Sequence, residues 1–140
     1  VNTAGYNANG KDFFMLLSTI NGLPGDFRVR ISSVEPFQIS NQIIELVCNN
    51  PKRFAQHWHI CLQSGSDKIL AKMNRKYTTN DFLNLVNSIY KINPNSAITT
   101  DYICGFPGET VEDHQNSITF IKNKNTWIII IFPIFLDFIC

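Results

Sequence analysis

The sequence lacks several features that would assign it at once to a class of protein. Its four cysteines, Cys48, Cys61, Cys104 and Cys140, show no C-x-x-C or C-x-x-x-C spacing, so no local zinc or iron–sulfur motif is present. Charged residues make up only 16% of the chain and the formal net charge is +1, which indicates no basic surface for nucleic acid. No secretory signal is recognisable at its start. These absences favour a reduced, cytoplasmic compartment with the cysteines as small buried side chains.

Two nucleotide-binding motifs and a membrane-spanning run are also missing. No G-x-G-x-x-G opens the first helix, and no G-x-x-x-x-G-K-[ST] loop is present, so dinucleotide binding and phosphoryl transfer are not indicated. The apolar stretch TWIIIIFPIFLDFIC at the end is shorter than the roughly 20 residues of a spanning helix. Pro133 and Asp137 also interrupt it. We expect a buried last strand followed by an aberrant apolar tail, and no membrane partner.

What the chain does contain is an alternation of strand and helix patterns. Its 140 residues with 44% hydrophobic content suit one globular domain with a real core. Strand and helix alternate four times in units of about 30 to 40 residues, which predicts an α/β fold with a parallel sheet. A complete eight-unit barrel needs about 250 residues, so the chain is predicted to be part of a barrel or a small open sheet. The predicted strands are 28–32, 57–62, 97–104 and 127–132, and the predicted helices are 11–23, one capped by Ser40, 67–73, one capped by Thr79 or Asn80, and one from Thr110 to Lys122.

The strand HWHICLQ has one polar face. His57, His59, Cys61 and Gln63 share one side by period-two alternation, and apolar residues occupy the other. This pattern predicts a barrel lumen or ligand cavity, because a strand covered on both faces would be apolar on both. A sheet with one solvated face is the alternative. Histidines spaced i, i+2 could ligate a metal, but packed, hydrogen-bonded histidines are favoured, and no metal site is predicted.

A second feature is the loop GFPGET, which follows the strand AITTDYIC and precedes a helix. Ligands of α/β folds bind at this end of a strand. Gly105 and Gly108 would let the backbone approach a ligand closely, and Pro107 would stiffen the loop. The alternative is a plain tight turn in which Glu109 favours the N-terminus of the next helix.

Three other loops offer polar groups of the same kind. Gln63 and Ser64 follow the polar-faced strand at a glycine turn, although Ser66 could equally cap a short helix there. Glu35 precedes a proline turn and could be an ordinary solvated acid. Arg75 could clamp an anion or lie on the surface.

These segments together resemble a known family. RVRISSVEP, HWHICLQSGSDKILAKMNRKYTTNDF and AITTDYICGFPGETVED, in this order and spacing, are similar to the radical S-adenosylmethionine methylthiotransferases of the MiaB type. The similarity spans roughly residues 1–121 and includes the opening VNTAGY. HWHICLQSGSD and KYTTNDF lean toward the branch that acts on threonylcarbamoyladenosine at position 37 of tRNA.

The resemblance implies a parallel-stranded partial βα (TIM-like) barrel of radical SAM type, incomplete here. It also implies S-adenosylmethionine and [4Fe-4S] clusters as cofactors, tRNA as the partner and no DNA. In such enzymes one cluster cleaves S-adenosylmethionine to a deoxyadenosyl radical, and a methylthio group is then added to the substrate. The residues it places near S-adenosylmethionine are Gln63, Ser64, Gly65, Ile103, Gly105 and Gly108, with Arg75 and Glu35 as polar candidates at the edge of the barrel.

The chain departs from the family pattern in what it lacks. The family's C-x-x-x-C-x-x-C motif belongs to a first barrel strand that is absent, as are an N-terminal cluster domain and a C-terminal RNA-binding domain. We therefore expect a truncated fragment, inactive alone, with residues 1–125 as the later part of the radical SAM core and 126–140 as the last strand plus the apolar tail. The alternatives are part of another radical SAM enzyme, such as a coproporphyrinogen dehydrogenase, and a non-catalytic remnant that packs on a partner or binds a nucleoside.

Overall fold

The structure is a computed structural model, and it describes Gly5, residues 10–122 and residues 127–133. The predicted tail beyond Pro133 and most of the VNTAGY segment lie outside the described residues. Strands and helices alternate as the sequence predicts, and the fold is α/β. The elements are α1 (Phe13–Gly22), a 3₁₀ turn (Pro36–Gln38), α2 (Asn41–Asn49), β1 (His57–His59), α3 (Asp67–Lys72), α4 (Thr79–Ile92), β2 (Ala97–Cys104), α5 (Val111–Lys122) and β3 (Trp127–Pro133).

The three strands form a parallel sheet in the order β1-β2-β3. The order in space is the order along the chain, and helices α3 and α4 connect β1 to β2 while α5 connects β2 to β3. Isolated parallel bridges from Val29 to Phe54 and from Val34 to Ile60 add the 29–34 segment beside β1. Four successive parallel segments therefore lie side by side, and their carboxyl ends meet at one edge.

The prediction of a regular strand at 28–32 is wrong. Five steps separate Val29 from Val34, whereas six separate their partners Phe54 and Ile60, so the pairing slips by one residue between the bridges. A continuous ladder cannot form across such a slip. The predicted strand 57–62 is likewise shorter as a ladder, because regular pairing ends at His59 and only isolated bridges at Ile60 and Gln63 continue it.

Two of the helix starts differ from the prediction. Ser40 caps α2, as predicted, and at the start of α5 Thr110 pairs reciprocally with Asp113. The cap of α4 is Thr78, one residue before the predicted Thr79, because its hydroxyl forms a capping box with Asp81. Ser66 makes no capping bond, since its hydroxyl donates to Asp113 instead.

The core lies between the sheet and the helices. Trp58, Ile60 and Leu62 are fully buried on one side of the β1 segment, as the alternation predicts. A buried stripe of helix α4 belongs to the same hydrophobic cluster, and α2 packs against α4. The stripe consists of Phe82, Leu85, Val86 and Ile89. Within the described residues, none of the helices has both the length and the apolar composition that crossing a membrane requires.

Candidate functional site

The loops that follow the parallel segments meet at one edge of the sheet. Backbone bonds connect them: Cys61 N–H donates to Val34 O, Gln63 N–H donates to Asp101 O, and Ile103 N–H donates to Gln63 O. The loops 33–36, 63–66 and 103–109, here called the rim, are therefore held together by the sheet itself. The predicted site residues Glu35, Gln63 and Gly105 all lie on the rim.

Each of the three rim loops contains a residue with a left-handed backbone near its start. The backbone φ is 59° at Ser33, 66° at Gln63 and 81° at Gly105. Glycine adopts this conformation freely, but for a residue with a side chain it costs about 1–2 kcal/mol. Gln63 pays this cost within a rigid parallel pairing, and non-glycine residues held this way are concentrated at ligand sites.

Glu35 and Arg75 form an ion pair. Arg75 Nη1 donates to Glu35 Oε1, and both side chains are about one quarter exposed. The structure therefore brings together two predicted site residues that lie 40 positions apart. Arg75 Nε is buried and has no partner among the described residues, so the guanidinium keeps one donor for another acceptor.

Cys61 and Tyr77 lie beside this ion pair. Burial raises the pKa of the Cys61 thiol; a hydrogen bond from Gln63 opposes this shift, and the Asp101 carboxylate adds to it. The Tyr77 hydroxyl donates to Leu62 O at 3.4 Å, and burial raises the pKa of Tyr77 well above its ordinary value. Both groups are therefore neutral at pH 7 and contribute polar contacts without added charge.

The polar face of β1 contacts the polar face of β2. His59 Nδ1 lies 2.9 Å from Thr99 Oγ1, and His59 Nε2 lies 3.1 Å from Asp101 Oδ2. His57 Nε2 bonds the same threonine at 3.1 Å, and burial, with Arg30 and His59 nearby, lowers the pKa of His57. The histidines are thus packed and hydrogen-bonded, as the sequence favoured.

Sequence reasoning missed the grouping of one set of side chains. The ligand atoms of His59, Cys61 and Asp101 all lie within 4.8 Å of one another. Period-two alternation puts His59 and Cys61 on one face of their segment, and it puts Thr99 and Asp101 on one face of the next strand. Only the register of β1 against β2 reveals that these faces coincide.

Ser64 and Gly65 face helix α5. Ser64 is fully buried, its Oγ lies 3.3 Å from Ser117 Oγ, and it accepts from Ser66 N–H. Gly65 N–H donates to Ser117 Oγ at 3.0 Å. A Cβ at Gly65 would stand 2.6 Å from Ser117 Cα, so helix packing requires the glycine here. These two residues fix the path of the chain just after Gln63.

The GFPGET loop is closed by Glu109. Its Oε2 accepts from Gly105 N–H at 2.6 Å and from Phe106 N–H at 3.2 Å, and its own N–H donates to Phe106 O. Glu109 Oε1 is buried and lacks a partner among the described residues. Gly108 has φ 81° and its carbonyl accepts from Lys72 Nζ. The acid organises the backbone of the loop, a role that the prediction of a helix N-terminal charge did not include.

Asp113 joins the start of α5 to the start of α3. Its carboxylate accepts from Lys68 Nζ at 2.9 Å, from the Thr110 hydroxyl at 2.7 Å and from the Ser66 hydroxyl at 3.2 Å. Lys68, followed by the Thr110 hydroxyl and amide, holds the pKa of Asp113 well below its usual range. The Asp113 carboxylate therefore ties the rim loop 63–66, through Ser66, to the start of α5.

Comparison with known proteins places the sequence in a family. The profile of the radical SAM superfamily matches residues 3–121. The threonylcarbamoyladenosine tRNA methylthiotransferase MtaB of Thermotoga maritima is 42% identical over 113 residues, which are 81% of this chain and 26% of the relative. The tRNA-2-methylthio-N(6)-dimethylallyladenosine synthase of Lachnoclostridium phytofermentans is 44% identical over 110 residues, 79% of this chain and 24% of the relative. MtaB of Bacillus subtilis is 40% identical over 136 residues, 95% of this chain and 30% of the relative.

The chain therefore belongs to the radical SAM superfamily, a superfamily of enzymes, as the resemblance implied. The relatives named above are tRNA methylthiotransferases and a 2-methylthioadenosine synthase, which favours this branch over the coproporphyrinogen dehydrogenases. The chain spans about a quarter of the length of these curated relatives.

Proposed function

We propose that the rim binds the nucleoside part of S-adenosylmethionine, and that the chain is part of the radical SAM core of a tRNA methylthiotransferase. Its substrate in the whole protein would be a modified adenosine in tRNA. The relatives named for threonylcarbamoyladenosine and for dimethylallyladenosine are 42% and 44% identical, so the proposal covers the chemistry that both share. The family membership and the geometry of Gln63 at the rim support it.

The partial βα barrel is the fold on which this proposal rests. The sequential parallel order of the 29–34 segment, β1, β2 and β3 supports it, since successive βα units of a barrel are neighbours in this way. Residues 1–125 would be the later part of the core, and 126–140 its last strand and the tail. The polar face of β1 and β2 would line the lumen.

The rim offers groups that suit a nucleoside. Five buried side-chain atoms lack partners among the described residues, and two of them are on the rim or paired to it: the acceptor Glu109 Oε1 and the donor Nε of Arg75, which pairs with Glu35. A ligand with hydroxyl and ring-nitrogen groups could satisfy both, because a buried polar atom without a partner is costly. Gln63 would contact the ligand directly, and Ser64 and Gly65 would position it by fixing the loop. Ile103, Gly105 and Gly108 would let backbone lie against the base, and Glu35 would act by orienting Arg75.

The described residues do not suit an iron–sulfur cluster. Cys48 lies on α2, Cys61 follows β1 and Cys104 ends β2, and all three are free thiols. These three cysteines of the described residues do not come together around one point. Cluster ligation by thiolates is needed for radical cleavage of S-adenosylmethionine. We infer that any [4Fe-4S] cluster of the whole protein is held by cysteines outside this chain, and that this chain alone is inactive.

Isothermal titration calorimetry of the 140-residue chain with S-adenosylmethionine tests the proposal. Gln63→Ala should weaken binding about 5- to 30-fold, the loss expected for one or two hydrogen bonds. Gln115→Ala, on the exposed side of α5, is the matched control and should leave the affinity unchanged. Equal affinities for Gln63→Ala and the unmodified chain would remove the rim as the site.

A further inference from the structure

We propose that His59, Cys61 and Asp101 form a binding site for one divalent transition-metal ion of the zinc type. The three side chains offer one imidazole nitrogen, one sulfur and one carboxylate oxygen, all within 4.8 Å of one another. The proposal goes beyond the S-adenosylmethionine site, which uses none of these three residues. It also concerns a single ion and not an iron–sulfur cluster.

The backbone already places the three ligands on rigid elements. His59 pairs with Thr99 across the parallel sheet, and Asp101 lies two residues further along β2. Cys61 follows the last regular pair of β1, and its N–H donates to Val34 O. Two of the three ligands therefore lie on strands of the sheet, and the third is held by a backbone bond to the neighbouring 29–34 segment. Sites built on strands hold their ligands more precisely than sites on loops.

The distances suit a tetrahedral ion after small side-chain rotations. Zinc bonds of about 2.0 Å to nitrogen or oxygen and 2.3 Å to sulfur imply separations of about 3.3–3.7 Å between ligand atoms. His59 Nε2 and Asp101 Oδ2 are 3.1 Å apart, which is close to this range. Cys61 Sγ has to approach by at most about 1.5 Å to complete the triangle, which a rotation about χ1 can provide.

Thr99 orients the imidazole for this role. Its Oγ1 can accept the His59 Nδ1 proton while its own hydroxyl proton is donated to His57 Nε2. A bound ion would take the place of the proton that His59 Nε2 and Asp101 Oδ2 can share at 3.1 Å, so that the imidazole nitrogen and the carboxylate oxygen would both direct electron pairs at the ion. Metal-binding histidines are held in this way, with the second ring nitrogen donated to a neighbouring oxygen.

Charge and exposure indicate which ion fits. When the ion binds, the Cys61 thiol releases its proton to solvent, and the resulting thiolate together with the Asp101 carboxylate neutralises the divalent charge, which lowers the cost of holding it in a largely buried place. Side-chain exposure is 9% for His59 and 20% for Asp101, so the site is closed on most sides but reachable from the polar face. Sulfur and imidazole ligands select zinc, cobalt or iron(II) over magnesium and calcium. Three protein ligands leave a fourth position for water or a substrate atom.

Titration of the anaerobic, reduced 140-residue chain with Co²⁺ alone tests the proposal. We expect one ion per chain, with the visible bands of tetrahedral cobalt and a thiolate-to-cobalt charge-transfer band, both abolished by added Zn²⁺. Cys61→Ser should remove the charge-transfer band, and Asp101→Asn should weaken Co²⁺ binding at least tenfold. Cys48→Ser, Cys104→Ser and Cys140→Ser are matched controls and should keep the band.

A second measurement avoids any effect of substitution on folding. X-ray absorption at the zinc edge of the unmodified chain should show one sulfur at about 2.3 Å with nitrogen or oxygen ligands at about 2.0 Å. A sulfur-free zinc environment, or a cobalt charge-transfer band that survives in Cys61→Ser, would overturn the proposal. Loss of S-adenosylmethionine binding in Gln63→Ala with unchanged Co²⁺ binding would show that the two sites are separate.

Discussion

At the scale of single residues, the rim is organised by a few side chains that bond to backbone. Glu109 accepts from the amides of Gly105 and Phe106, and so orders a loop that has few side chains of its own. Gly65 has the complementary role, since the absence of a side chain lets α5 lie against the chain after Gln63. The first role requires a carboxylate and the second requires a missing Cβ.

Replacing Glu109 with alanine should loosen the GFPGET loop. Two amide N–H groups lose a charged acceptor, so we expect the free energy of unfolding to fall by about 1–3 kcal/mol. Urea denaturation followed by circular dichroism measures this. Glu45→Ala, on the exposed side of α2, is the control and should change the midpoint little. Equal midpoints for the two variants would mean that the loop does not depend on Glu109.

Gly65→Ala should destabilise the chain through a clash. The new Cβ would lie 2.6 Å from Ser117 Cα, which is backbone of α5 and cannot rotate away. A loss of about 1–3 kcal/mol is typical of such overpacking. At Gly22, the last residue of α1, a Cβ meets nothing within 4 Å, so Gly22→Ala should be neutral or slightly stabilising. Similar melting temperatures for both variants would contradict the tight approach of α5.

At the scale of elements, the connection between α3 and α5 depends on one buried carboxylate. Asp113 caps α5 through Thr110 and also bonds Lys68 and Ser66 at the start of α3. The N-terminal ends of both helices are therefore bonded to the same carboxylate. The capping pair was predictable because Thr110 and Asp113 are close in sequence. The bonds to α3 were not, because they join residues more than 40 positions apart.

The stability contributed by Asp113 should depend on pH. Because its pKa in the folded chain lies below the unfolded value of about 3.9, the carboxylate stabilises the fold above that value. This contribution is lost as the pH falls through the pKa of the folded chain. The difference in urea midpoint between the unmodified chain and Asp113→Asn should therefore be largest near pH 7 and shrink toward about pH 3. Asp26→Asn, an exposed loop control, should match the unmodified chain at pH 7. A constant difference across this range for Asp113→Asn would contradict the ionic role.

The boundaries of the strands show how far local sequence patterns can predict secondary structure. Strand β2 was predicted at 97–104 and is found there, because its apolar and β-branched residues alternate through the whole length. The 28–32 segment also alternates β-branched with polar residues but forms no ladder, because its pairing to the β1 segment slips by one residue. A slip between two segments leaves no mark in either sequence.

At the scale of the whole molecule, the described cysteines do not come together as ligands of an iron–sulfur cluster. Anaerobic reconstitution with iron and sulfide should therefore leave no acid-labile sulfide on the purified chain. The physical reason is that Cys48, Cys61 and Cys104 lie on separate elements, whereas a cluster needs several thiolates around one small volume. Stoichiometric iron and sulfide with a visible cluster absorption would refute this. Iron bound without sulfide would instead report the His59, Cys61 and Asp101 site.

The sequence by itself determined the order of elements, the polar face of β1, the glycine turns at the strand ends and the resemblance to radical SAM methylthiotransferases. These follow from periodicity, capping and motifs, which act over a few neighbouring residues. The tertiary structure alone decided that Arg75 pairs with Glu35, that Ser64 faces α5, and that His59, Cys61 and Asp101 converge. Such contacts depend on strand register and helix packing between residues that are distant in the chain. Local sequence patterns do not encode them.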